Sequence, residues 1–356
     1  MTAAAVLHVV VSGLATGSIY ALVALSLVII SRCGSRCSIG GRKIRTVYYD
    51  DGFKPQDAVA DTRKLVEQDG VFAAIATQGT APSLAAVEYL EPNMVPLLFP
   101  YQGSPVTRGK KYVFSGMTLY DRQSRMMIDY LAGQRKYKTF ATIYQDDEYG
   151  KAFLTAFEKD LARHGAKMVA SEPIKRGVTD VSAQMAKLRA ASPEVTFLVL
   201  TPGPGAQALK ERQKIGWTDT LLLSSGPLID ERYLALAGEG AAEGVEGLLL
   251  WPDPLTSDVP GMKQYRHVMQ KYFGKNEPNR YSLAGYFAAM LFVEGARRAG
   301  RNLTRESRRA RLRVGDRAHR GGGTERHARG RSANSPGVPR PRRAVGVILV
   351  ADVDER

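Results

Sequence analysis

Cysteine is almost absent from this 356-residue chain, with Cys33 and Cys37 the whole supply. Two thiols so close together cannot build a disulfide framework, so the fold must be held by core packing. Their Cys-x-x-x-Cys spacing has no neighbouring histidine or further cysteine to complete a tetrahedral metal site. Histidine is scarce as well: His8, His164, His267, His319 and His327 are scattered and form no HExxH or HxH pattern, which leaves a metal centre unsupported. No GxSxG elbow occurs, and GPGAQALK (Gly203 to Lys210) lacks the GK[ST] of a phosphate loop. No catalytic residue, metal or cofactor is expected, and the chain reads as a non-enzyme.

Two further absences divide the chain. Residues 1–31 carry no charged side chain and are mostly apolar. About 20 such residues in a helix cross the hydrocarbon core of a bilayer, so the pattern predicts a transmembrane helix over residues 1–32. A secretory signal needs a basic start and a small-residue cleavage site, and MTAAAV and VIISRCGSRC supply neither. Arg32, Arg36, Arg42 and Lys43 follow the run and nothing basic precedes it. By the positive-inside rule that bias argues for a cytoplasmic side after the span.

From Arg305 onward the sequence has no lysine, phenylalanine, tyrosine or tryptophan, and Gly321-Gly322-Gly323 and PGVPRPRR interrupt any regular element. Such a segment buries too little apolar surface to offset its ordering entropy, which predicts a disordered tail over 305–356. The closing VGVILV (Val345 to Val350) has the composition of a strand but no identifiable neighbour. The tail carries about half of the net charge of +15. Without aromatic rings to stack bases, that charge is not a nucleic-acid footprint, and no nucleic-acid partner is expected.

Between these ends the chain alternates strand and helix. Strands are predicted at Ile44 to Asp50, Val71 to Ala76, Val95 to Phe99, Lys138 to Tyr144, Val195 to Thr201, Thr220 to Ser224 and Val245 to Trp251. Near-continuous apolar runs such as VPLLF and VTFLVL indicate parallel sheet covered on both faces. Repeated strand–helix units predict a doubly wound α/β architecture. In such sheets ligands bind beyond the carboxyl ends of the strands.

Several loops fall at those ends. Thr77 to Pro82 (TQGTAP) follows a strand, and Thr80 reads as a helix N-cap whose free N–H groups favour a carboxylate. Pro100 to Ser104 (PYQGS) follows VPLLF. KTFATIYQDDEYG (Lys138 to Gly150) reads as a buried strand, an acidic turn and a helix beginning at Tyr149-Gly150. Thr201-Pro202-Gly203 and Ser224-Ser225-Gly226 end two more strands.

KTFATIYQDDEYG, together with GVTDVSAQMAKL (Gly177 to Leu188), resembles the substrate-binding proteins of branched-chain amino acid ABC transporters. The resemblance runs from about Gly40 to Ser307. It implies two α/β lobes joined by hinge crossovers around a cleft: residues 40–117 in lobe one, 118–251 in lobe two, and 252–304 returning to lobe one. It implies a small-molecule ligand (amino acid, organic acid or amide), ABC permease subunits as partners, and a place on the periplasmic face of the bacterial inner membrane. Carried onto matching positions, the ligand residues would be Thr80, Tyr101, Gly103, Tyr149, Gly203 and Ser225. Ser225 stands where amino-acid binders of this family place an acid against the ligand ammonium, which favours ligands without a free α-amine.

Family members begin with a strand–helix unit whose place is taken here by the apolar run, leaving lobe one without its central strand. GLATGSIYALVALSLVII (Gly13 to Ile30) instead resembles the first transmembrane helix of the cognate permease. Two other readings stand beside the main one: a permease fragment or fusion product without binding activity, and an amide- or amino-acid-sensing regulator of the same fold.

Overall fold

The computed structural model describes residues 44–229, 231–238, 240–274 and 278–299, and the backbone of 347–353. The expected transmembrane helix over 1–32 lies outside them. Among the described residues no helix is long and apolar enough to cross a membrane.

The described strands form two five-stranded sheets. The first contains β1 (Ile44–Asp50), β2 (Ala73–Ile75), β3 (Leu97–Leu98), β4 (Val113–Phe114) and β10 (Val347–Val353), in the order β1-β10-β2-β3-β4. The second contains β5 (Thr139–Gln145), β6 (Lys167–Ile174), β7 (Val195–Val199), β8 (Leu221–Ser224) and β9 (Glu246–Gly247), in the order β6-β5-β7-β8-β9. Every pair in the second sheet is parallel. Its order reverses between β5 and β7, which opens a crevice at their carboxyl ends.

The first sheet departs from expectation. β2, β3 and β4 pair in parallel, but β10 runs antiparallel to both its neighbours, aligning with all seven residues of β1 and with three of β2. Residues 347–353 are thus a strand, not part of a disordered tail. The composition that predicts disorder over 305–356 is that of the arginine-, glycine- and proline-rich residues before this strand. VILVADV contains no glycine, proline or arginine. The open place between β1 and β2, where the resemblance finds the central strand missing, is filled by the far end of the chain.

The α-helices are α1 (Pro55–Glu67), α2 (Thr80–Leu90), α3 (Tyr120–Ile128), α4 (Glu148–Arg163), α5 (Ser182–Ala190), α6 (Pro202–Lys214), α7 (Glu231–Ala237), α8 (Pro260–Phe273) and α9 (Arg280–Ala299). One apolar cluster joins Ala58 and Leu65 of α1 and Ala86, Val87 and Leu90 of α2 to Ala74 and Leu97. A second joins Met185, Leu188 and Leu209 to Ala141, Ile143 and Leu198 of the second sheet. Phe140, Phe197 and Val199 point the other way, as the two-residue period of a strand requires. They meet Phe153 and Phe157 of α4 in a cluster that continues through Met127 and Ile128 to Ala284, Ala288 and Phe292 of α9 and Ala73 and Leu98 of the first sheet. Phe157 and Phe197 stack with ring centroids 4.0 Å apart. That shared core brings the carboxyl edges of the two sheets to the same region.

Candidate functional site

The loops after β2 and β3 run side by side. The Tyr101 N–H donates to the Thr77 carbonyl at 2.7 Å and the Gly79 N–H to the Tyr101 carbonyl at 3.3 Å, so the pairing of the two strands carries on beyond them. Each strand is followed directly by a non-glycine residue in the left-handed region, Ala76 at φ 56° and Phe99 at φ 52°. That conformation costs each residue about 1–2 kcal/mol, and such strain collects at ligand sites.

Thr80 is not the N-cap expected from the sequence. Gly79, at φ 86°, takes that place and Thr80 begins α2, with no side-chain bond to the helix end. The Thr80 hydroxyl instead meets the Tyr120 hydroxyl at 2.9 Å. Tyr120 starts α3, and its N–H donates to the Gly103 carbonyl at 2.6 Å. A Cβ at Gly103 would lie 2.7 Å from the Tyr120 ring, so only glycine allows this approach. Burial pushes the Tyr120 phenol up to about 12, with the Thr80 hydroxyl opposing. It therefore remains a neutral hydrogen-bonding group in ordinary conditions.

On the second sheet, the Asp147 carboxylate caps α4, its Oδ1 accepting from the N–H groups of Tyr149 at 3.0 Å and Gly150 at 3.2 Å. Its Oδ2 accepts from the Gln145 side-chain amide. Gly150 fits because a Cβ there would stand 1.9 Å from the Gln145 carbonyl oxygen. The cap aims Tyr149 at Ser225, hydroxyl to hydroxyl, at 2.5 Å. Burial holds the Tyr149 phenol well above its ordinary value, with the nearby Tyr120 second. The rings of Tyr120 and Tyr149 meet edge to face, centroids 5.4 Å apart.

A continuous series of side chains thus runs Thr80, Tyr120, Tyr149, Ser225, from one sheet edge to the other. Tyr101 borders it with rings 6.2 Å from Trp251 and 5.6 Å from Tyr281, and the Tyr281 hydroxyl donates to the Pro227 carbonyl at 3.3 Å, beside Ser225. Gly203 stands apart, in the first turn of α6 with open space where a Cβ would sit. Tyr120, Trp251 and Tyr281 are absent from the sequence-derived site. Tyr120 had no legible signal, because the strand before it, β4, is only two residues long.

Asp51, at the end of β1, is 2% exposed. Burial raises its carboxyl to about 6, Asp50 and Asp61 push the same way, and the Phe53 N–H and Arg176 oppose them. A carboxyl raised in the folded state favours folding only while protonated, so this contribution is complete below about pH 4 and is lost as pH rises through about 6. Asp51→Asn is expected to stabilise the protein by about 1–3 kcal/mol at pH 8 and by little at pH 4. Denaturant midpoints at the two pH values check this, and equal gains at both would contradict it.

A family model described as "Periplasmic binding protein" matches residues 31–336. The chain belongs to the periplasmic binding protein family. Among curated relatives, it is 27% identical over 267 residues to an "Amino acid binding protein" of Pseudomonas aeruginosa, covering 74% of this chain and 70% of the relative. It is 23% identical to a "Leucine-, isoleucine-, valine-, threonine-, and alanine-binding protein" of the same organism, over 77% of this chain and 72% of the relative. Among solved structures, a substrate-binding periplasmic protein from Ralstonia solanacearum superposes with a TM-score of 0.76 at 27% identity, covering 84% of each chain. The hydroxyl-lined series therefore lies in a periplasmic binding protein fold.

Proposed function

We propose that the chain is the solute-recognition component of an ABC importer of the branched-chain amino acid class, working at the periplasmic side with permease subunits and carrying out no catalysis. Residues 40–117 with 252–304 would form one lobe and 118–251 the other. The observation that carries this reading is the Thr80–Tyr120–Tyr149–Ser225 series, which offers one ligand contacts from both sheet edges. Contacts on both sides stabilise a closed state, which is the form a permease would read.

Thr80 and the first-turn N–H groups of α2 would receive a carboxylate, with Gly103 beside them. Tyr101 would pack on the ligand body, Tyr149 and Ser225 would bind its far end, and Gly203 would leave room at the rim. The Thr80–Tyr120–Tyr149–Ser225 series itself contains no acid for an α-ammonium. Ser225 offers a hydroxyl, and both oxygens of the adjoining Asp147 already accept hydrogen bonds. An ammonium desolvated there would lose several kcal/mol of hydration without a partner. The ligand class is accordingly a carboxylate or amide without a free α-amine.

Thermal-shift screening of aliphatic and aromatic carboxylates and amides against leucine, isoleucine and valine tests this. The carboxylates or amides are expected to raise the melting temperature at sub-millimolar concentration, where the three amino acids do not. Clear stabilisation by leucine would overturn the ligand class and leave the solute-binding reading intact.

A further inference from the structure

Phe53 occupies an unusual position. It follows Asp50-Asp51-Gly52 at the end of β1, in the left-handed region at φ 60°. The turn is held by its own acids: the Asp51 carboxylate accepts from the Phe53 N–H at 2.6 Å and the Asp50 carboxylate from the Gly52 N–H at 2.9 Å. The ring this turn presents lies on Gly79, where a Cβ would stand 2.2 Å from the ring's Cζ. Gly79 is the residue immediately before Thr80. The backbone strain at Phe53 therefore serves to seat an aromatic plate over the loop proposed to take the ligand carboxylate.

The ring is also covered from the second sheet. Arg176, in the loop after β6, places its guanidinium carbon 3.6 Å from the Phe53 ring centroid. Its Nη1 donates to the Phe53 carbonyl at 2.7 Å. Arg176 as a residue is exposed, but its charged end is stacked and hydrogen-bonded. A guanidinium over an aromatic face gains from the ring quadrupole, and more so when water is displaced. Its planar fork stacks and donates at once, which a lysine cannot reproduce.

We propose that Arg176 and Phe53 form an inter-lobe latch at the mouth of the cleft, closing the second sheet's β6 loop over the Gly79–Thr80 loop of the first. Arg176 is a positioning residue: it acts on Thr80 through Phe53 and Gly79. Its value for solute capture rests on the solute-recognition reading, but the latch itself is a contact between the lobes and operates without ligand. Burial lowers the pKa of the Arg176 guanidinium, and Asp147 on the second side and Asp51 on the first oppose that shift, which places it between an acid of each lobe. The latch therefore favours the closed arrangement before any solute arrives, and it resists opening once a solute is held.

The test measures lobe separation in the ligand-free full chain. Spin labels are placed at Ala60→Cys of α1 and Ala186→Cys of α5, both exposed, with Cys33→Ser and Cys37→Ser to remove the native thiols. Arg176→Ala is expected to move the closed-to-open ratio about tenfold toward open, about 1.4 kcal/mol. The label distances lengthen while the far-UV spectrum and melting temperature hold. Phe53→Leu, which keeps apolar cover on Gly79 but removes the ring face, is expected to open the lobes similarly. The double variant is expected to open them no further than Arg176→Ala alone, because that change already removes both the ring contact and the hydrogen bond to the Phe53 carbonyl. Arg176→Lys is expected to fall between wild type and Arg176→Ala. Identical distance distributions for wild type and Arg176→Ala would overturn the latch, as would additive effects of the two single changes. Neither result bears on which solute binds, so a failed latch and a failed ligand class remain separate outcomes.

Discussion

A chain lacking residues 347–356 is expected to lose the cooperative unfolding of its first sheet while the second sheet persists. β10 is the strand recorded beside β1, in register with all seven of its residues, and it also aligns with three residues of β2. Its removal takes from β1 the one strand it pairs with among the described residues, and takes from β2 its neighbour on that side. Each ladder hydrogen bond contributes about 1 kcal/mol net. Losing most of those along two strands amounts to about 5–10 kcal/mol, which is as large as the stability of a typical domain. The turn at Asp51 to Phe53 hangs on the end of β1, so the Phe53 ring would also lose its seat on Gly79. Hydrogen exchange resolved by segment is the suitable measurement. Protection in 44–50 and 73–75 should collapse, while 139–145 and 195–199 stay protected. If the truncated chain melts within 2 °C or so of the full chain, β10 contributes nothing at this place, since a loss of 5–10 kcal/mol would shift the transition by well over 10 °C.

Thr80→Val is expected to weaken binding of a carboxylate ligand by about 30- to 100-fold, or about 2–3 kcal/mol. Valine matches threonine in shape, so the backbone of α2 is kept while the hydroxyl is lost. The Tyr120 hydroxyl then has no partner at the 2.9 Å contact it makes with Thr80. The stability cost is about 1–3 kcal/mol, the usual penalty for an unpaired buried hydroxyl. Tyr120→Phe separates the two effects. It keeps the ring against Phe153, 4.6 Å away between centroids, and it leaves the Thr80 hydroxyl in place for the ligand. A smaller affinity loss, within about tenfold, is expected for that variant. Calorimetric titration of both variants with the best carboxylate from the thermal screen decides the matter. An unchanged affinity in Thr80→Val would remove Thr80 from the ligand contacts.

The comparison of sequence with structure turns on where the physical signal is local. β5, β7 and β8 were legible because they are central and apolar on both faces, with burial along nearly every residue. β6 was not, because it is an edge strand whose residues are exposed or half-covered up to Pro173 and include Glu172 and Pro173. β4, at two residues, offers no pattern to read. The acidic turn before α4 was legible down to its helix start, since an aspartate that caps a helix acts on residues two and three places away. The Thr80 loop was legible in position but not in bonding. The partner of its hydroxyl is Tyr120, 40 residues further along the chain.

By itself the sequence determined the α/β class and the places where strands end in polar loops, because apolar periodicity, capping and turn chemistry act over a few residues; the family was legible only as the resemblance of KTFATIYQDDEYG and GVTDVSAQMAKL. Four of the candidate residues lie in that local information and stand at two helix starts and in two loops: Thr80 and Tyr149, and Gly103 and Ser225. Only the tertiary structure decided which of them face one another, that Tyr120 joins Thr80 to Tyr149, and that Arg176 crosses to Phe53. It alone also decided that Val347–Val353 enters between β1 and β2 in the reversed direction. An apolar strand carries its burial preference in its composition, but its partners are chosen by which backbone edge is left unpaired. That is a property of the assembled sheet and of no segment within it.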